Sequence, residues 1–320
     1  MCYSAQIKAS YTKYVRAFGA TMRIEEFFDV FWQRRADSSI QIPKALEAEF
    51  LHPQTEGERR IKAEVDWFAG QQKAKFETEI TRQSERLAKA QSKLAIKTSK
   101  TAQDDLRIAS RKIDWAKGKI ADLLATSVQA SDSRIFPGWY APVMVMEHGQ
   151  RVVKLMRYQC RPAGKPAWYD SKFPGTYNAR RDSLQGFWSK QFGYTHGVAI
   201  FDSFYEVVER HRAEGRSLAP DERVEKVVVE FKPQPEQELL VACIWSRWTS
   251  PGAPDLLSFA AITDEPPAEV LAVGHDRCII PIKPENIDAW LNPDPRYLAA
   301  QHAILDDRVR PFYRHKIADG

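Results

Sequence analysis

Between Thr55 and Leu124 the apolar positions recur at intervals of three, four and seven. They are Ile61, Val65, Phe68, Phe76, Ile80, Leu87 and Leu94, followed by Leu106, Ile113, Ile120 and Leu124. Lys, Arg, Glu and Gln fill most of the positions between them, which is the signature of amphipathic helix in near-heptad register. Thr55 and Glu58 have the spacing of a capping box, and the polar run at 98–101 interrupts the pattern. Two long antiparallel helices joined by a polar turn are therefore predicted, a hairpin over residues 50–128. Upstream, a short strand or coil precedes a helix with Ile24, Phe27, Phe28, Phe31 and Trp32 on one face, and Pro43 and Pro53 bracket a loose link.

After Arg134 the period changes from helical to alternating. Residues 143–146 and 152–158 flank Glu-His-Gly-Gln and predict a β-hairpin. Residues 227–231 and 239–245, around Lys-Pro-Gln-Pro-Glu-Gln, predict a second one. Residues 257–263 make a further strand, and the last forty residues read as helix and loop, with Trp290 and Tyr297 as packing candidates. Strands without a βαβ rhythm predict an α+β fold with a mostly antiparallel, barrel-like β core and peripheral helices. In this reading residues 1–45 and 129–320 form one domain, and 50–128 is a helical-hairpin insertion, a coiled-coil arm.

Composition narrows the function classes. With 43% hydrophobic residues in 320 the chain can bury a sizeable core, and no apolar run approaches a membrane span or a signal peptide. The expectation is a soluble cytoplasmic protein without a membrane partner, nucleoid-associated in a bacterial cell. Cys2, Cys160, Cys243 and Cys278 form no C-x-x-C pair, so neither a metal site nor a disulfide framework is signalled, and no cofactor is called for. The last three sit among apolar residues and read as buried small hydrophobes. A net charge of +5 permits a nucleic-acid partner without demanding one. On the predicted hairpin, Lys93, Lys97, Lys100, Arg111, Lys112, Lys117 and Lys119 gather toward the tip and second helix. That arm is either a solvated surface or a docking element for a protein or DNA partner.

The candidate chemistry begins at Met1-Cys2. Removal of Met1 would leave an α-amine and a thiol on adjacent carbons, both with appreciable reactive fractions near neutral pH. An aldehyde can form an imine with the amine, which the thiol closes into a thiazolidine; the plainer reading is a terminal residue without a role. Three downstream stretches carry matching polar groups. Tyr177-Asn178-Ala179-Arg180-Arg181 offers an amide beside guanidinium groups suited to phosphate. An aromatic run ending in Tyr205-Glu206 offers a carboxylate whose burial would raise its pKa toward the acid/base range. Gly274-His275-Asp276-Arg277 adds an imidazole and another Arg. Taken singly, Asn178 reads as a turn residue, Glu206 as a strand-edge ion pair and His275 as a loop histidine.

In this order, Met-Cys, Asn-Ala-Arg, an aromatic strand ending Tyr-Glu, and His-Asp-Arg before an apolar strand, the chain resembles the SOS response-associated peptidase family of abasic-site processing proteins. The resemblance covers residues 1 to about 35 and about 130 to 295, and leaves out the hairpin. It implies an N-terminal Cys2 that crosslinks to ring-opened abasic sites in single-stranded DNA, with autocatalytic removal of Met1 as the peptidase activity and lyase or crosslink-reversal activity beside it. By motif, Asn178 would position the amine and ring, Glu206 would move protons, and His275 would assist sugar ring opening or reversal. Arg180 and Arg277 would hold the flanking phosphates.

The chain departs from the family pattern at two places. Tyr3 and Ser4 replace the usual Gly-Arg after Cys2, and Tyr158-Gln159-Cys160-Arg161-Pro162 stands where a Trp-Gly-x-x-Pro segment is usual. Arg161 and Arg181 extend the expected DNA-binding set, and Trp168 stands in for the base-stacking surface or packs into the core. Two competing readings stay open: an N-terminal-nucleophile cysteine amidohydrolase, and a non-catalytic single-strand-binding scaffold with a recruitment arm.

Overall fold

The computed structural model describes residues 3–8, 11–125 and 127–318. Twelve strands among them belong to one sheet: β1 Ser4–Ile7, β2 Thr21–Met22, β3 Arg134–Ile135, β4 Tyr140–Glu147, β5 Gln150–Tyr158, β6 Asn178–Arg180, β7 His196–Glu209, β8 Lys226–Gln234, β9 Leu239–Ser250, β10 Ala253–Asp264, β11 Cys278–Ile279 and β12 Phe312–Ile317. Five of them close on themselves. β4 pairs β5, β5 pairs β10, β10 pairs β9, β9 pairs β7, and β7 returns to β4. All these pairings are antiparallel except the parallel β5–β10 step. Closure leaves no free edge among the five, and both faces of their strands are covered: Met144, Val198, Ile200 and Ile244 on one, and Val143, Val241 and Phe259 on the other, are all fully buried. Each large apolar side chain so buried contributes about 1.5–3 kcal/mol.

The first hairpin forms as predicted: β4 and β5 pair along their length, and His148 and Gly149 make the two-residue turn with positive φ. The second does not. β8 and β9 lie end to end along β7, residues 204–209 pairing β8 and 196–201 pairing β9. A fourteen-residue strand offers both segments a full ladder, whereas Pro233 and Pro235 remove amide donors that a hairpin between them would use. β12, which pairs β8, corrects the reading of the C-terminal forty residues as helix and loop. Its alternation rests on Tyr313, His315 and Ile317, of which only Tyr313 is fully covered, so the period is faint. Trp290 is buried and donates its indole N–H to the Gly197 carbonyl at 2.9 Å, while Tyr297 is exposed.

The helical part begins with α1 Tyr11–Phe18, α2 Ile24–Gln33 and α3 Lys44–Ala48. α2 buries Phe27 and Phe31 as expected, and Trp32 is half exposed. The link between Pro43 and Pro53 is not loose, because α3 and the following turn bury Leu46 and Phe50 completely. The hairpin consists of α4 Glu56–Ile96 and α5 Lys100–Leu124. At 41 residues, α4 is about 60 Å long. Its capping box is present, with the Glu58 N–H donating to Thr55 Oγ1 at 3.2 Å and the Thr55 N–H donating to Glu58 Oε2 at 3.1 Å.

Contacts between Arg86 and Asp105, Glu79 and Lys112, and Phe76 and Trp115 step together from tip toward base, which is the antiparallel register. The buried seam differs from the predicted one. Leu87, Leu94 and Leu106 are only partly covered, and the covered positions include Gln83, Ala90, Ala102, Ala109 and Ala116. Alanine lets the two backbones approach closely, so the larger residues are pushed to the margins of the contact.

Candidate functional site

β1 lies antiparallel on β7, with Ser4 opposite Tyr205 and Ala5 opposite Phe204. This register brings Tyr3 to Glu206. The Tyr3 N–H donates to the Tyr205 carbonyl at 3.1 Å and to Glu206 Oε2 at 3.3 Å. Arg134, at β3, clamps the same edge: its Nε donates to Ser4 Oγ at 3.0 Å and its guanidinium lies 3.8 Å over the Tyr205 ring. Burial pushes the Arg134 guanidinium below its ordinary pKa. Beneath it the Tyr205 hydroxyl donates within a polar cluster, 3.0 Å from Glu230 and 3.0 Å from Gln6, and burial pushes the phenol up to about 12.

Glu206 is 1% exposed, and its Oε2 is 3.0 Å from His275 Nε2. The other ring nitrogen, Nδ1, is 2.8 Å from the Arg277 carbonyl, which can only accept, so Nδ1 carries a proton. A single further proton is then shared across the Glu206–His275 contact, as a neutral carboxylic acid and imidazole or as carboxylate and imidazolium. Burial pushes Glu206 above the usual carboxylate range, and the hydrogen bond from His275 and that from Tyr3 pull the other way. The arrangement sets a water-poor carboxyl–imidazole pair beside the backbone of the residue next in sequence to Cys2. Cys2 itself lies outside the described residues.

His275 is delivered by the turn that follows the helix Ala268–Ala272. Gly274 has φ +89, a backbone conformation that favours glycine, while a Cβ there would meet only the movable side chain of Arg212. Asn178 opens β6, is buried, and stands opposite Ala261 in a parallel pairing with β10. Two residues on, Arg180 is exposed, with Nη2 2.8 Å from Asp182 Oδ2; Arg277 Nη2 is 3.8 Å from the same oxygen. Asp182 thus draws the Asn-Ala-Arg and His-Asp-Arg stretches together. Sequence reasoning missed it, and its only signal is an acid two places after Arg180. Arg134 was missed too, since nothing local marks a residue whose partners are 130 and 71 positions away.

The remaining candidates lie elsewhere. Arg181 pairs with Asp264 at 3.1 Å and Asp306 at 2.6 Å, on the wall of a cavity of about 910 Å³ that Asp182, Cys278, Arg308 and Tyr313 also line. Arg161 is buried, with Nε 3.1 Å from both Asp170 oxygens and its guanidinium 4.4 Å over Trp248. It braces the loop on which Trp168 stands, 57% exposed, with Lys172 Nζ 5.4 Å over the ring. Cys160, Cys243 and Cys278 are buried, and burial pushes the Cys160 thiol up to about 12 and the other two higher still. Among the described residues no three His, Cys, Asp or Glu are grouped to hold a metal ion, and no helix is long and apolar enough to cross a membrane.

Comparison with known proteins gives one family. The model of the family described as SOS response associated peptidase (SRAP) matches residues 91–316, more than half of the chain. The match runs through α5, which the motif-based resemblance left out, and does not include residues 1–90. A search of curated proteins found no match. Among solved structures, a protein from Bordetella bronchiseptica is similar at 15% identity and a TM-score of 0.44, over 61% of this chain and 90% of its own. A phage-related protein from the same organism is similar at 17% identity and a TM-score of 0.42, over 58% of this chain and 81% of its own. A protein from Bacteroides thetaiotaomicron is similar at 15% identity and a TM-score of 0.41, over 50% of this chain and 66% of its own.

Proposed function

We propose that this chain, which belongs to the SOS response-associated peptidase family, captures abasic sites in single-stranded DNA covalently through Cys2 after loss of Met1. Family membership supports an SOS-associated role in handling damaged DNA. The observation that carries the finer reading is the Glu206–His275 pair, 3.0 Å apart, with Glu206 accepting the N–H of Tyr3.

The chemistry needs proton traffic at that point. The Cys2 amine attacks the aldehyde carbon of the ring-opened sugar; a C–N bond forms, and loss of one water gives the imine. The thiol sulfur then adds to the imine carbon, its proton passes to nitrogen, and a five-membered thiazolidine results. Glu206 protonates the departing hydroxyl and is recharged from His275. Asn178 orients the amine. Arg180 and Arg277 hold the flanking phosphates, and Arg181, Arg161 and Trp168 extend the DNA-binding surface. The same acid/base pair serves hydrolysis of the Met1–Cys2 bond.

The test is to incubate the protein with a uracil-containing single strand treated with uracil glycosylase and look for a heat-stable shifted band. The expected result is a band from the wild type and none from Cys2→Ala, which still binds the strand noncovalently. An equally strong band from Cys2→Ala overturns the reading. Intact mass provides a second check, since a mature chain that keeps Met1 cannot form the ring.

A further inference from the structure

The hairpin carries two features that the barrel site does not use. The first is a cavity of about 490 Å³ midway along it, lined by Lys75, Phe76, Glu79, Lys112 and Trp115. Trp115 is 54% exposed and meets Phe76 edge-on, with ring centroids 5.4 Å apart. A half-exposed indole standing on a second ring, rimmed by Lys75 and by a Lys112 that pairs with Glu79 at 3.8 Å, presents a π-face beside the positive charge of Lys75. The second feature is a basic stripe that starts at this cavity. Lys75, Arg82, Arg86, Lys89 and Lys93 follow one another at helical spacing along one side of α4, about 27 Å from first to last, and Lys97 follows directly at its C-terminal end.

The stripe is aimed at solvent. Lys75, Lys89, Lys93 and Lys97 are exposed, and among the described residues none of the four has an ion-pair partner. Arg82 and Arg86 are partly neutralised by Glu79 and Asp105. From Arg86 through Gln103 the sequence contains no acid at all. An ordinary solvated coiled-coil face interleaves both signs, and this one does so only nearer the barrel.

We infer that the hairpin is a second DNA-binding surface, on which a base of single-stranded DNA stacks against Trp115 while the backbone follows the Lys75–Lys97 stripe toward the tip. It rests on the reading that the protein works on DNA, and it extends that reading to a part of the chain away from the capture site. Single strands fit better than duplex, because a stacking indole needs an unpaired base. Charge complementarity supplies the rest: each lysine that neutralises a phosphate releases a counterion.

The test is binding of a fluorescently labelled oligo(dT) by anisotropy over a range of salt concentrations, with duplex of the same length in parallel. The quadruple variant Lys75→Gln/Lys89→Gln/Lys93→Gln/Lys97→Gln changes only exposed positions. It is expected to lower the slope of log affinity against log salt by about 3. Trp115→Ala is expected to weaken binding about tenfold, with Trp115→Tyr restoring most of it. Both variants should still form the heat-stable band at saturating abasic strand. A quadruple variant with the wild-type slope overturns the inference, as does tighter binding of duplex than of oligo(dT). Absence of oligo(dT) binding by the wild type also overturns it. Loss of the band in Cys2→Ala reports on capture independently of these outcomes.

Discussion

The barrel site and the helical hairpin both depend on charge, and they use it in opposite ways. At the barrel, Glu206 is taken out of water and held by His275 and a backbone N–H, so that its proton affinity is what the fold sets. On the hairpin, Lys89, Lys93 and Lys97 stay in water, where their field reaches a polyanion but is screened within about 10 Å at moderate salt. The lesson is that burial decides whether a charged residue has its proton affinity set by the fold or presents a field to the solvent. The two regions should therefore respond differently to pH, salt and mutation.

The largest expected effect is at the buried carboxylate. Glu206→Gln keeps the shape and removes the transferable proton, and capture of abasic strand at neutral pH should slow roughly 10²- to 10⁴-fold. Burial raises the Glu206 pKa above its unfolded value, so the folded state holds that proton more tightly than the unfolded one. Ionising it costs stability, and the cost appears as pH rises from the ordinary carboxylate range through the raised value. Glu206→Gln should abolish this dependence and raise the melting temperature at neutral pH by roughly 2 °C. A variant that is both inactive and less stable would place Glu206 with the structural ion pairs.

The joint between the regions comes next. Arg34 is 3% exposed, pairs with Glu47, and lies 4.2 Å over the Phe68 ring of α4. Arg34→Ala leaves the partly buried Glu47 without its cation and should cost about 1–3 kcal/mol in denaturant unfolding. The double change Arg34→Met with Glu47→Leu should recover most of that. A comparable effect is expected at Gly57, where an added Cβ would stand 2.7 Å from two carbons of Ile24. Gly57→Ala should cost about 1–3 kcal/mol by forcing α4 away from α2.

The smallest effect sharpens the contrast most. Replacing residues 74–118 by a short Gly/Ser turn should leave the melting temperature within about 2 °C. It should also leave the single-turnover capture rate at saturating strand unchanged, while affinity for an intact strand falls. A loss of capture under saturation would show that the hairpin belongs to the chemistry.

What could be read in the sequence divides along the same line. The Thr55–Glu58 cap, the His148–Gly149 turn and the length of α4 are local, fixed by residues within a few positions of one another. The burial of Glu206 was legible in its aromatic strand, whereas the glycine-anchored turn that carries His275 gave no sign that the ring is buried too. Asp182 and Arg134 were not, since their roles depend on pairings between strands far apart in sequence. The placing of β8 and β9 along β7 failed for the same reason: two apolar runs separated by seven residues, 232–238, look like a hairpin until the long partner is known. On the hairpin, leucines drew attention to the wrong seam, although Ala102, Ala109 and Ala116 recur every seven residues.

The pairing of β1 with β7 has a consequence in time. Tyr3 and Glu206 are 203 residues apart. At a synthesis rate of about 5–20 residues per second, the strand that begins the chain waits roughly 10–40 s before its partner exists. During that interval the first segment is accessible to other enzymes of the cell, and the Glu206–His275 pair has not been made. The Glu206–His275 pair is a property of a chain synthesised at least through residue 275, assembled by long-range pairing rather than by any local fold.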